Sequence, residues 1–262
     1  MVPEPTPSRQ RTGIIRGFIQ VIGELVMTAG LIVLLFVAWE LWFTNVQADA
    51  TQQQAIKGFA KTLSGPTAPA PAAGPLPATT GPGSYGDPVV AKAPGYGEMI
   101  GLMYIPRLGK TYTRPIIQGT SVQVLDTLGL GHYNQTAMPG SVGNFALAGH
   151  RQTHGAVLDA IDTLVPGDEL YVQTKDGYYT YVFRNHEIVL PARIDVLLPV
   201  PTQPKAQPTE RLLTLTSCNP RFGSQERIIA YSVMEYWQPA SAGPPAAIAA
   251  EVAAVQAQNK QG

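Results

Sequence analysis

Hydrophobic and polar positions change their rhythm twice along this chain. From Val21 to Phe43 the residues are almost all apolar (VIGELVMTAGLIVLLFVAWELWF), with Glu24 and Glu40 as the only charges. That run approaches the roughly 20 apolar residues that cross a bilayer, with the two glutamates at headgroup level. Trp39, Trp42 and Phe43 gather at one end, as an interfacial aromatic belt does. From Thr44 to Gly97 no apolar period is evident. The first part is rich in Ala and Gln and could continue the membrane helix outward; the second, 65–94, is crowded with Pro, Ala and Gly and cannot bury a core. Beyond Glu98 the pattern becomes a series of short strand-like runs, some alternating and some continuously apolar.

Those runs predict strands at 99–105, 114–118, 144–148, 169–174, 178–183, 187–190, 211–218 and 227–236. Lys175-Asp-Gly177 supplies a hairpin turn between two of them. Short helical pieces fit 121–128 and 155–164. Seven or eight strands with few helices predict a mainly β domain, a closed barrel in preference to a sandwich. The expected organisation is a basic cytoplasmic tail at 1–17, a transmembrane anchor at 18–43 and an extracytoplasmic stalk at 44–97. The catalytic domain follows at 98–238, then a disordered Ala/Pro-rich tail at 239–262.

Charge sets the orientation. Arg9, Arg11 and Arg16 precede the apolar run and no Lys or Arg follows before Lys57, so the positive-inside rule places the N-terminus in the cytoplasm and the rest outside. A cleaved signal peptide fits less well, because Trp-Glu-Leu-Trp-Phe stands where a small-residue cleavage site belongs; Val46-Gln-Ala48 is a weak substitute. The formal net charge is +0 and basic residues form no stripe, which removes support for nucleic-acid binding.

One cysteine, Cys218, closes the strand Arg211-Leu-Leu-Thr-Leu-Thr-Ser-Cys218. Alone it forms no internal disulfide and no cysteine-rich zinc site. Alternation puts it on one face with Leu212, Thr214 and Thr216, and Asn219-Pro220 ends the strand. If 227–236 pairs back antiparallel, Arg227 faces Cys218; Arg221, in the intervening loop, is the rival cation. A thiol of ordinary pKa, about 8.5, is only about 3% thiolate at pH 7, so a nucleophile needs a base or a cation nearby. Of the 4 histidines, His150 stands just past an apolar strand and a glycine, where a scaffold presents a side chain to a site. His132 and His154 lie in loop-like or groove-like sequence, and His186 reads as structural. Asp159, Asp162, Asp168 and Glu169 match no calcium-loop spacing and read as a solvated face and turn.

These residues carry a resemblance. Leu213-Thr-Leu-Thr-Ser-Cys218 with Arg227 downstream resembles the sortase signature, and Gly140-x-x-Gly-Asn-x-x-x-Ala-Gly-His-Arg151 resembles the segment bearing the sortase histidine. The Cys-to-Arg spacing and Asn219-Pro220 are most similar to class E sortases of actinobacteria. Ser217 stands where the family more often has Thr, and Asn219 where class E members often have His.

The resemblance implies a sortase-like closed β-barrel and a cysteine transpeptidase with Cys218, His150 and Arg227 as catalytic residues, needing neither cofactor nor metal. It implies cleavage of an LPxTG- or LAxTG-like sorting signal between Thr and Gly. The acyl group of the substrate protein would pass through a thioester to a peptidoglycan-precursor amine. Two other readings fit the residues alone: a different cysteine enzyme (a thiol peptidase or an L,D-transpeptidase-like cross-linker), and an anchored, non-enzymatic binding barrel.

Overall fold

The strand-like stretches close on themselves. In a computed structural model that describes residues 11–63 and 85–258, eight strands form a barrel. They are β1 (Met99–Tyr104), β2 (Thr113–Gln118), β3 (Leu130–His132), β4 (Gly143–Ala148), β5 (Glu169–Gln173), β6 (Gly177–Val189), β7 (Arg211–Asn219) and β8 (Glu226–Pro239). Around the barrel the order is β1-β2-β3-β4-β7-β8-β6-β5, and β5 pairs with β1 to close it. Most pairs are antiparallel; β2 with β3 and β4 with β7 are parallel. Closure leaves no unpaired edge in the wall.

Met103, Ile116, Leu130, Phe145, Leu147, Val172, Tyr181, Leu213 and Leu215 fill the interior, all buried. Two departures from the expected strands have local causes. The stretches 178–183 and 187–190 are one strand, β6, bent by register shifts between Thr180 and Tyr181 and between Phe183 and Asn185. The three-residue β3 is too short for any periodicity to register, yet it bridges β2 and β4.

His132, read as a loop or groove residue, is instead wholly buried in β3. Its Nδ1 is 2.8 Å from Gln118 Oε1 and its Nε2 is 3.0 Å from the Ala137 carbonyl oxygen. Burial pushes its imidazole down to about 4, the Ala137 contact offsetting part of that.

The structure describes parts of the segments expected as stalk and tail. Residues 44–63, assigned to a stalk, are an amphipathic helix, α2 (Thr44–Leu63). Its Ala48, Gln52, Ile56, Phe59 and Ala60 recur at helical spacing and are buried. Residues 249–258, in the expected Ala/Pro-rich tail, form a helix, α3 (Ala249–Gln258), along an Ala-rich run that reads as a weak helix in sequence. Val252 and Val255 of this helix and Ile248 just before it join Ile56 and Phe59 in covering Leu102, Tyr104, Tyr171 and Tyr178 outside the barrel. Fully burying a side chain as large as Ile or Phe stabilises by about 1.5–3 kcal/mol, which contributes to ordering both helices against the barrel. The segment 85–97 is tied down too: the Tyr179 hydroxyl donates to the Val89 carbonyl at 2.5 Å, and Gly97 N–H to Gln118 O at 2.8 Å. The rest of the expected stalk, 64–84, lies outside the described residues, as do 1–10 and 259–262.

The chain divides into two units, Met1–Phe43 and Thr44–Gly262. In the first, a helix, α1 (Arg11–Ala38), runs into a π-helical turn (Trp39–Phe43) in which the Trp39 and Phe43 rings stack at 3.9 Å. Its span Ile15–Ala38, 24 residues, is long and apolar enough to cross a membrane, and none of it is buried in protein. Apolar character around the whole helix circumference suits lipid surroundings.

Candidate active site

Strand β7 carries Cys218 to the rim of the barrel, half-buried as a free thiol. On one side β8 pairs antiparallel with β7, and Cys218 stands opposite Arg227. On the other side β4 runs parallel, in step from Gly143 opposite Arg211 to Ala148 opposite Thr216. Past the end of β4 the two chains stay in step: Gly149 N–H donates to Thr216 O at 3.1 Å, and the Ser217 hydroxyl donates to Gly149 O at 2.8 Å. His150 follows one residue later, in the turn after β4. Thiol and guanidinium thus face each other on adjacent strands, which lie about 4.8 Å apart, and the histidine turn leaves the strand on the other side of β7.

Local sequence accounts for each placement. Gly149 is needed because a Cβ there would come within 2.7 Å of Val157 Cγ2. The turn that follows is closed by Leu158 N–H donating to His150 O at 2.9 Å. Asn144, from the same motif, is buried: Thr214 Oγ1 donates to its Oδ1 at 2.7 Å, and its Nδ2 donates to Val196 O and Leu198 O, both at 3.2 Å. It thereby ties the long β6–β7 connection to the barrel wall.

Arg227 donates through Nη1 to Ser224 O at 2.9 Å and Glu226 O at 2.8 Å, which fixes the guanidinium at the turn. Its Nε and Nη2 make no hydrogen bond to the described residues, so they remain available to an incoming anion. Arg221, the rival, is more than half exposed and bidentate to Asp159, at 2.9 and 2.5 Å. Its charge is already matched.

Three residues that sequence reading did not single out frame this rim. Arg151, only 4% exposed, donates through Nη1 to Cys218 O at 3.3 Å and Asn219 Oδ1 at 2.7 Å, and its Nη2 lies 3.0 Å from Asp162 Oδ1. A buried guanidinium thus pins the thiol-bearing backbone to the histidine turn. Asp126 accepts from His150 Nε2 at 2.7 Å. The Tyr133 hydroxyl is 3.0 Å from Thr216 Oγ1, on the same barrel face as the thiol. Arg151 did stand in the histidine motif, but its contacts are set by the fold; Asp126 carried no signal at all in sequence.

The remaining candidates are placed elsewhere. Asp159 and Asp162, read as a solvated face, are counter-ions to Arg221 and Arg151, and Asp168 is bidentate to Arg107 with both contacts at 2.8 Å. Glu169 accepts from the Tyr171 hydroxyl. His154 is brought beside His150, with ring centroids 5.2 Å apart. His186 packs on Phe183 and lies 2.8 Å from Ile161 O, a structural position.

A family model described as Sortase domain matches residues 103–235. The chain is 31% identical to Sortase SrtE2 of Streptomyces coelicolor over 226 residues, 81% of this chain and 80% of that protein. The chain belongs to the sortase family. It is also 37% identical to Sortase SrtE1 of the same organism over 234 residues, covering 87% of this chain but spanning only 60% of that relative's length. Among solved structures, this sortase is similar to a SrtA sortase from Actinomyces oris (43% identity, TM-score 0.59, 61% of this chain and 92% of that one). It is similar as well to Sortase E1 from Streptomyces coelicolor, solved with a tripeptide in the active site (38% identity, TM-score 0.53, 60% of this chain and 99% of that one). These relatives agree with the class E likeness of the motifs, and the eight-stranded barrel fits the seven or eight strands expected from sequence.

Proposed function

We propose that this chain is a membrane-anchored cysteine transpeptidase with Cys218, His150 and Arg227 as its catalytic residues. What supports the reading is the pairing of Cys218 with Arg227 across β7 and β8, with β4, which leads to the His150 turn, running parallel on the other side of β7. The Cys218 thiolate attacks the Thr–Gly carbonyl carbon of an LPxTG- or LAxTG-like sorting signal. The oxyanion forms on the Arg227 side, where a permanent charge and two uncommitted N–H edges stabilise it. His150 protonates the departing glycine amine, leaving a thioester on Cys218. It then takes a proton from the incoming amine, a peptidoglycan precursor in this reading, as that amine displaces the thiol. The Ile15–Ala38 helix holds the enzyme in the membrane with the N-terminus in the cytoplasm and the barrel outside, by the Arg9, Arg11 and Arg16 bias.

Incubation with an LAxTG-type peptide and a free amine is expected to yield ligated peptide; hydrolysis alone would point to a peptidase, and no reaction to a binding barrel. Cys218→Ala is expected to abolish the acyl-enzyme detectable by mass spectrometry, and Arg227→Lys to lower kcat by about 10²-fold while Arg221→Ala stays near wild type. An acyl-enzyme surviving in Cys218→Ala, or equal losses at the two arginines, would remove the assigned roles.

A further inference from the structure

The proposed acid–base histidine has a carboxylate on it. Asp126 projects from a π-helical turn, Val124–Leu128, between β2 and β3, a turn anchored by buried Val124. Its Oδ1 is 2.7 Å from His150 Nε2, and its Oδ2 faces His154 Nε2 at 3.8 Å. The carboxylate is therefore flanked by two imidazoles. His154 is itself fixed, in left-handed backbone at φ 54, within a turn whose Gly155 N–H donates to Asn45 Oδ1 of α2 at 2.8 Å.

An ionised carboxylate only accepts hydrogen bonds, so the nitrogen it holds must carry the proton. A neutral imidazole has one proton. With Nε2 protonated toward Asp126, the lone pair of His150 sits on Nδ1. We propose that Asp126 is the positioning residue of this site: it locks His150 in the Nε2–H tautomer, so that Nδ1 is the nitrogen that exchanges protons with Cys218 and with the amines. The inference rests on the reading of His150 as the acid–base residue.

The protons then balance. Nδ1 takes the thiol proton, giving an imidazolium whose Nε2–H still donates to Asp126, a charge-assisted bond that Asp126 makes without itself being protonated. Nδ1–H passes that proton to the leaving glycine amine as the C–N bond breaks. In the second half Nδ1 takes a proton from the incoming amine and returns it to the cysteine sulfur as the thioester C–S bond breaks. Asp126 and His150 are each about a quarter exposed, and ion pairs in such settings contribute little stability. Orientation is what this contact supplies.

The test uses the full chain in detergent with ¹⁵N-labelled histidine. His150 is assigned by the signal missing in His150→Gln, and its protonated nitrogen is read from two-bond ¹H–¹⁵N correlations. Wild type is expected to show Nε2–H alone and Asp126→Ala a tautomer mixture. In the ligation assay Asp126→Ala is expected to lose about 10–100-fold in kcat with KM for the peptide within about twofold. Asp126→Glu should recover part of that loss. Asp126→Asn, whose amide can donate to Nε2, should recover none. An unchanged tautomer in Asp126→Ala overturns the proposal, as does a loss confined to KM or to melting temperature. Wild-type protein that ligates no peptide would instead defeat the transpeptidase reading, and the tautomer measurement alone would then decide whether Asp126 orients His150.

Discussion

At the residue scale, the histidines show how one side-chain type is assigned different work by its surroundings. His150 and His154 are partly exposed at the barrel rim beside Asp126, whereas His132 is sealed beneath it. An ordinary imidazole titrates near 6.5, but that of folded His132 is pushed down to about 4 by burial. Above about pH 6.5 neither the folded nor the unfolded chain binds this proton, and His132 leaves stability unaffected. Between 6.5 and 4 the unfolded chain binds it and the folded chain does not, so stability falls on acidification, by on the order of 3 kcal/mol at pH 4. Urea midpoints measured from pH 4 to 7 are expected to fall less steeply for His132→Gln than for wild type; parallel curves would contradict this. Spacing alone did not rank His132 far below His150. Both sit near glycines in short apolar–polar transitions, and only the three-residue β3 decides which one the barrel swallows.

At the element scale, the strands were legible as short β-patterned or apolar runs bounded by turn residues, while the two helices packed on the barrel were legible as helical segments but not as docked ones. α2 buries a face made partly of Ala and Gln, residues that look polar or neutral in any hydropathy pattern, and only Ile56 and Phe59 give it grip. α3 hides in the same way among alanines, with Ile248, Val252 and Val255 as its anchors. Both are ordered by the surface they meet, Leu102, Tyr104, Tyr171 and Tyr178, which is a property of the fold and not of the segment. Phe59→Ala is therefore expected to destabilise the domain by about 3 kcal/mol in chemical denaturation, as for a buried core aromatic. A change below about 1 kcal/mol would mean that α2 is only loosely docked. The Cys218–Arg227 pairing was legible because one hairpin makes it; Asp126 was not, because its loop reaches His150 only after β2, β3 and β4 have assembled.

For the whole molecule, one thiol in 262 residues makes topology measurable. A membrane-impermeant maleimide applied to intact cells is expected to label the protein, and Cys218→Ser to abolish the label. Labelling only after lysis would place the barrel on the cytoplasmic side and reverse the orientation proposed for the Ile15–Ala38 helix. The position of Cys218 between Arg227 on β8 and the end of β4 has a further consequence for how this protein can vary. Because their meeting depends on how far each strand has travelled up the wall, length between Arg211 and Cys218 cannot drift. One inserted residue there would turn the sulfur toward the packed interior. Two would restore its face but carry it about 6.6 Å past its neighbours. Variation in chain length is thus confined to the connections between strands, and the wall itself acts as a ruler for the chemistry at its rim.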